Sequence, residues 1–109
     1  MTDCIQVMVT VEERGHAERI AETLLAEQLA ACVQVVGPIT SYFHWQGQNE
    51  KSEEYLCLIK SRRYLYEEIE TAVKQAHPYE VPEILALPVV AGNAAYLAWV
   101  AQEVKGEAE

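Results

Sequence analysis

The chain has 109 residues, half of them hydrophobic, and a formal net charge of −9, so it fits one domain with a sizeable core. Nucleic acids and anionic membrane surfaces attract clustered Lys and Arg, so the acidic balance argues against both as partners. No apolar run approaches the roughly 20 residues that a membrane-spanning helix needs.

The first two elements are predicted from a change of period. Residues 4–11 alternate apolar and polar, which is typical of a half-buried strand. The apolar face of that strand would hold Ile5, Val7, Val9 and Val11. After Gly15 the apolar residues recur at helical spacing, which predicts an amphipathic helix that ends near Ala30.

A long hairpin is predicted next. Residues 32–45 form a strand interrupted at Gly37-Pro38, and because proline cannot donate to a ladder, this strand should lie at a sheet edge or carry a bulge. Residues 46–49 form the turn. Residues 54–60 are apolar on both faces in their middle, which indicates a central strand.

The second half of the chain repeats the helix and strand pattern. Ser61 is predicted to cap a second helix, whose apolar stripe is Leu65, Ile69, Ala72 and Val73. A short strand over 84–87 ends at Pro88. Gly92-Asn93 then marks a turn and a helix cap, and a terminal helix carries Tyr96, Leu97, Val100 and Val104.

The predicted order is therefore βαββαβ with an additional C-terminal helix. With right-handed crossovers this is an α+β, ferredoxin-like sandwich with an extended β-hairpin, forming a single domain over residues 1–109.

The arm of the hairpin, residues 39–45, predicts self-association. It places three aromatic rings, Tyr42, Phe43 and Trp45, near an edge strand. A long apolar edge aggregates unless something pairs with it or covers it. Copies of the chain could pair their edges in a closed ring, or the terminal helix could fold back over the arm within one chain.

Three cysteines, Cys4, Cys32 and Cys57, are odd in number and far apart, which fits neither a disulfide framework nor a zinc site. We expect them to be packed thiols in a reducing compartment. The N-terminus has no secretory pattern, so we expect a cytoplasmic protein.

Residues 77–83, His-Pro-Tyr-Glu-Val-Pro-Glu, concentrate an imidazole, a phenol and two carboxylates in a loop that Pro78 and Pro82 stiffen. Such donors suit a divalent metal such as copper, zinc or nickel. The alternative is a rigid connector. His44, between two aromatic residues, is either a further ligand or a packing residue.

No catalytic residues are predicted. Phosphate-binding glycine loops, nucleophile elbows and His-Glu-x-x-His are absent from the sequence. The connection over 10–15 sets one arginine, Arg14, beside two glutamates, which makes a poor oxyanion site. The predicted central strands also lack the aromatic platform of RNA-binding domains.

Several of these residues together resemble the CutA divalent-cation-tolerance family. The resemblance runs in order along nearly the whole chain and is most specific over 77–84 and 92–99. The matching residues are Ala30-Ala31-Cys32-Val33, Ser41-Tyr42, Trp45, Gly47, Lys60, the 77–84 segment, Leu87-Pro88, Gly92-Asn93, Tyr96 and Trp99.

The resemblance implies a homotrimer formed through the hairpin edges, with a non-enzymatic, cytoplasmic role in tolerance to copper and other divalent cations. No cofactor would be required, although a divalent cation could bind to His77, Glu80 and Glu83. A ligand cleft would be lined by Tyr79, His44, Trp45 and Lys60. The trimer also resembles PII signalling proteins, which implies the alternative of a sensor that binds a small organic ligand and relays a signal.

The chain differs at two positions from family members that have a proposed copper site. Family members with a proposed copper site carry a cysteine in the first strand and a histidine directly before the His-Pro-Tyr motif. This chain has Val9 and Ala76 at those positions, so of that set only His77 is present.

Overall fold

The computed structural model describes residues 2–108. The elements follow the order predicted from the sequence. They are β1 (Cys4–Val11), α1 (Arg14–Ala26), β2 (Cys32–Trp45), β3 (Gln48–Arg62), α2 (Tyr66–Ala76), β4 (Ile84–Pro88) and α3 (Ala94–Glu103), with a 3₁₀ turn at Arg63–Leu65 before α2. None of the described helices is long and apolar enough to cross a membrane.

The four strands form one antiparallel sheet in the order β2-β3-β1-β4. This is the ferredoxin-like split βαβ arrangement, in which the two parallel strands β1 and β2 are separated by β3. As predicted, β2 lies at an edge and β3 in the interior of the sheet. The predicted bulge is also present, because the pairing of β2 with β3 shifts register between Val36 and Ile39.

The core lies between one face of the sheet and the helices α1 and α2. Alternate residues of β1, such as Val7 and Val9, are fully buried there. Helix α1 contributes Ile20 and Leu24, because residues four apart share a helix face. Full burial of side chains of this size stabilises the fold by about 1.5–3 kcal/mol each.

The other face of the sheet is only partly covered. It carries the even-numbered residues of β1 and β3, and α3 contacts these two strands. Asn93 caps α3 as predicted, since its side chain accepts a hydrogen bond from the Tyr96 amide at 2.9 Å. Leu85 and Leu87 of β4 remain 56% and 44% exposed on this open face.

The hairpin turn is shorter than predicted. Only Gln46 and Gly47 lie between the strands, and both have positive φ, 50° and 79°. Two central residues with positive φ form the tight turn that matches the twist of the flanking strands. Gln48 and Asn49 therefore belong to β3.

The predicted cap at Ser61 is wrong. β3 continues through Ser61 to Arg62, and α2 starts after the 3₁₀ turn with no side-chain cap. The Ser61 hydroxyl is fully buried and donates to the Leu29 carbonyl at 2.6 Å. This hydrogen bond thus holds strand β3 against the segment that follows α1.

Helix α1 ends at Ala26, earlier than predicted. Gln28 adopts a positive φ of 56°, its amide bonds to the Leu25 carbonyl, and the Leu29 amide bonds to the Leu24 carbonyl at 2.9 Å. This pair of hydrogen bonds is a Schellman motif, which usually has glycine at the residue with positive φ. Because residue 28 is a glutamine, no glycine in the sequence marks this helix end.

Candidate functional site

A groove of about 690 Å³ lies between the hairpin arm and the loop over residues 77–83. We call it the acidic groove, because five glutamates line it against a single lysine, Lys51. Those glutamates are Glu12, Glu50, Glu54, Glu80 and Glu83. Aromatic residues contribute to its lining as well, namely Tyr42, Phe43, Trp45 and Tyr79.

Strand register explains why these side chains meet. Beyond the bulge, Phe43 pairs with Glu50 and Ile39 pairs with Glu54, so alternate residues of both strands share one face of the arm. On the same face of the sheet, Thr10 of β1 pairs with Leu56 of β3. The groove is therefore a continuation of the open face of the sheet.

His77 anchors the loop from behind the groove. It is 9% exposed, and its Nε2 lies 2.8 Å from the Thr10 carbonyl oxygen. Its Nδ1 accepts a hydrogen bond from the Tyr79 amide at 3.1 Å. A carbonyl only accepts and an amide N–H only donates, so the ring is the neutral tautomer with its proton on Nε2. Burial lowers the pKa of His77 and favours this neutral form.

Tyr79 and Glu54 form the floor of the groove. The Tyr79 hydroxyl donates to Oε2 of Glu54 at 2.8 Å, and Glu54 is 7% exposed. Burial raises the pKa of the Tyr79 phenol, and the hydrogen bond to Glu54 raises it further. The phenol thus stays protonated and donates to the carboxylate.

The structure brings only some of the predicted site residues together. Glu80, Glu83, Tyr79 and Trp45 line the acidic groove. His77 lies behind it with both ring nitrogens bonded to the backbone.

Two predicted cleft residues do not line the groove of a single chain. His44 pairs with Asn49 on the opposite face of the arm. The Lys60 ammonium donates to Oε1 of Gln34 at 2.9 Å, at a point on β3 roughly 20 Å from Glu54.

The described residues of one chain do not form a complete metal site in the groove. Within residues 2–108, no three His, Cys, Asp or Glu side chains converge to hold an ion. Imidazole binds a metal through a free nitrogen lone pair, and the Nδ1 lone pair of His77 is engaged by the Tyr79 amide. One chain therefore supplies exposed carboxylates but no complete coordination sphere.

Sequence reasoning missed the importance of Glu54. Its neighbours Glu53 and Tyr55 look equally suited to a ligand site in the sequence. What distinguishes Glu54 is its burial beneath Tyr79, which lies 25 residues away along the chain.

The cysteines are free, as predicted, and none lines the groove. Cys4 and Cys57 are buried and Cys32 is half-buried. Burial raises the pKa of the Cys57 thiol to about 11, so this group is an unreactive part of the core.

These observations define a small α+β protein of ferredoxin-like fold with an acidic, partly aromatic groove. The family of the CutA1 divalent ion tolerance protein matches residues 5–103, and the chain belongs to that family. The expected resemblance is thus confirmed.

Individual relatives agree with this assignment. The divalent-cation tolerance protein CutA of Thermus thermophilus is 43% identical over 94 residues, which cover 86% of this chain and 91% of that protein. The chloroplastic protein CutA 1 of Oryza sativa is 41% identical over 88% of this chain, but the match spans only 54% of that longer relative. The solved structure of the Thermus thermophilus Cut A1 protein superposes with a TM-score of 0.91, covering 94% of this chain and 99% of that one at 39% identity.

Proposed function

We propose that the chain is the subunit of a homotrimer that acts in tolerance or response to divalent cations such as copper, without catalysing a reaction. The observation that supports a cation as ligand is the lining of the acidic groove, with five glutamates and one lysine. A groove lined by one sign of charge concentrates ions of the opposite sign.

Self-association is supported by apolar surface that one chain leaves exposed. Leu85, Leu87 and Val36 lie on the open face of the sheet, with Tyr96 and Trp99 of α3 also partly exposed. Exposed apolar side chains gathered on one face indicate an interaction site, and closed rings are the common solution for identical subunits. Copies of this chain would cover the open face and pair the long hairpin edges.

The oligomeric state is tested by measuring the molar mass with light scattering as the protein elutes from a size-exclusion column. We expect three times the chain mass of 12.3 kDa at micromolar concentration. Leu87→Lys, which charges the open face, should lower that mass. Leu25→Lys is the matched control, since Leu25 is 46% exposed on α1 and away from the open face. A wild-type protein with the mass of one chain would overturn the trimer.

Within the groove, we assign cation binding to Glu80 and Glu83. Both carboxylates are exposed on the loop, whereas Glu54 is buried. His77 holds the loop in place through its two backbone hydrogen bonds rather than offering a free nitrogen. The remaining ligands would be water or groups of a neighbouring subunit, and no organic cofactor is required.

We place the protein in the cytoplasm. Supporting this, all three cysteines are free although two are buried, which fits a reducing compartment.

Titration calorimetry with Zn²⁺ and with Cu²⁺ tests the cation site. The double variant Glu80→Gln with Glu83→Gln should lose most of the binding heat, because amides are weaker cation ligands than carboxylates. The control pair is Glu53→Gln with Glu22→Gln, two exposed carboxylates outside the groove. Equal loss in both pairs, or no binding by the wild type, would contradict the site.

A second function, a trimeric sensor of a small organic ligand, is favoured by one specific observation. The aromatic side chains of Phe43, Trp45 and Tyr79 line the same groove, and binding of a metal ion alone does not require them.

A further inference from the structure

We infer that the open face of the sheet packs against a second copy of this chain, with Lys60 of one copy meeting Glu50 on the hairpin arm of the next. The inference rests on the proposed homotrimer and deepens it, because it names the direction of the contact between subunits and the charged pair that sets this direction.

The first argument is the distribution of charge along β3. Alternate residues of a strand share one face, and the even-numbered residues of β3 belong to the open face. From the arm to the other end of the strand, these residues are Glu50, Ser52, Glu54, Leu56, Leu58, Lys60 and Arg62. The face is thus negative at one end, apolar in its middle and positive at the other end. Such a surface is complementary to itself when the positive end of one copy lies over the negative end of another.

Lys60 is the available cation of this face. The Arg62 guanidinium is already paired with Asp3, whereas the Lys60 ammonium donates an exposed hydrogen bond to the neutral amide of Gln34 at 2.9 Å. None of the ion pairs among residues 2–108 includes Lys60. Its positive charge is therefore free to meet a carboxylate of another copy.

Glu50 is the matching carboxylate on the arm. It is exposed, whereas Glu54 is 7% exposed and already accepts a hydrogen bond from Tyr79. Glu50 also belongs to none of the ion pairs of the described chain. Each copy thus offers, on this face of β3, one accessible and unpaired charge of each sign.

The two charges cannot meet within one chain. They lie ten residues apart on the continuous strand β3, which rises about 3.3 Å per residue, so they are about 33 Å apart. A pair between Lys60 and Glu50 therefore forms only between copies. In a closed ring each copy gives its Lys60 to one neighbour and its Glu50 to the other, which makes the contact heterologous.

The apolar middle of the face supplies the area that such a contact buries. Val36 pairs with Leu56 on one side of the sheet, and Leu85 lies across β1 from Leu58 on the other. Val36 and Leu85 remain 43% and 56% exposed in a single chain. Burial of these side chains favours association, and the charges at the two ends select one direction for it.

Exchange of the two charges tests the inference. Light scattering in a fixed, moderate concentration of urea measures the chain concentration at which half of the protein is assembled. Lys60→Glu alone and Glu50→Lys alone each place like charges together between copies, so each should raise that concentration about tenfold or more. The double variant restores the pair with reversed signs, so it should return to within about threefold of the wild type.

Lys74→Glu and Glu22→Lys, alone and combined, are the matched controls. Both residues are exposed on the helices α2 and α1, and their substitutions change the net charge by the same amounts. Each control should stay within about twofold of the wild type. A charge-exchanged double variant no better assembled than Lys60→Glu would overturn the inference, as would single variants that assemble like the wild type. Rescue cannot come from repaired folding, since the two side chains do not touch within one chain.

The mass of the wild-type protein separates this inference from the proposed function. A mass of three chains without rescue by the double variant overturns only the contact between Lys60 and Glu50. A mass of two chains with rescue supports the contact and removes the trimer. A mass of one chain at micromolar concentration overturns both, whereas the Zn²⁺ titration reports on the cation site in every case.

Discussion

The Tyr79 hydroxyl donates to Oε2 of Glu54 at 2.8 Å, and this contact joins two segments that lie 25 residues apart in the chain. Tyr79 belongs to the loop that His77 anchors to Thr10 of β1, while Glu54 belongs to β3 next to the bulge in the pairing of β3 with β2. One hydrogen bond therefore couples the position of the loop to the register of the hairpin. It also links the two walls of the acidic groove.

Tyr79→Phe should lower the free energy of unfolding by about 1–3 kcal/mol, because it leaves the buried Glu54 carboxylate without its donor. Urea unfolding measures this. Tyr42→Phe is the control, since Tyr42 is 77% exposed and should change stability little. In Glu54→Gln, the Tyr79→Phe effect should shrink, because a neutral amide costs less to leave unpaired. Equal effects in both backgrounds would contradict the coupling.

His77 should make the protein less stable in weak acid. Burial lowers its pKa below the ordinary 6.5, so the unfolded chain takes up a proton at a pH where the folded protein does not. The His77 contribution is therefore fully present above about pH 6.5 and is lost as the pH falls through the lower folded-state value. The hydrogen bond to the Thr10 carbonyl and the charge of Glu54 act in the opposite direction and raise the pKa of His77. The charge of His16 lowers this pKa further.

Urea unfolding between about pH 7.5 and pH 5 measures the effect, with His77→Asn as the non-titrating variant. Wild type should lose more stability over this interval than the variant does. His44→Asn is the matched control, because His44 is exposed on the arm. Parallel pH profiles of wild type and His77→Asn would contradict the burial of a neutral imidazole.

The sequence predicted the fold well because strand alternation and helical spacing report directly on burial. Ile5, Val7, Val9 and Val11 were assigned to one face and all are buried in the core. The break at Gly37-Pro38 correctly indicated an edge strand with a bulge. Such features are local, so each can be predicted from the sequence of one segment alone.

The site was less predictable because its key contacts are not local. The pattern of residues 77–83 correctly indicated a loop, but it could not show that the His77 nitrogens bond to the backbone. Glu54 was indistinguishable from other glutamates, because its burial depends on a partner in another segment.

Ser61 failed as a predicted cap for the same reason, and its real role is testable. Its buried hydroxyl donates to the Leu29 carbonyl at 2.6 Å, so Ser61→Ala leaves that carbonyl unpaired. We expect a loss of about 1–2 kcal/mol in the free energy of unfolding. Ser52→Ala is the control, because the Ser52 hydroxyl bonds to the exposed Glu53 carbonyl at 3.3 Å. Equal stability of the two variants would contradict a structural role for Ser61.

Gly37 is the position where a single methyl group should disturb the hairpin and the groove together. A Cβ atom there would lie 2.7 Å from Cδ1 of Tyr55 and 3.1 Å from the Glu54 carbonyl oxygen. The latter is part of the ladder and cannot rotate away, so Gly37→Ala should destabilise the protein by about 1–3 kcal/mol.

Gly15→Ala is the matched control, and its effect should have the opposite sign. Gly15 lies in the first turn of α1, with nothing within 4 Å of an added Cβ. Alanine is the better helix former, so we expect a gain of up to about 1 kcal/mol. Urea unfolding of both variants provides the comparison. A Gly37→Ala protein as stable as Gly15→Ala would mean that β2 and β3 are not held together at the bulge as closely as the structure has them.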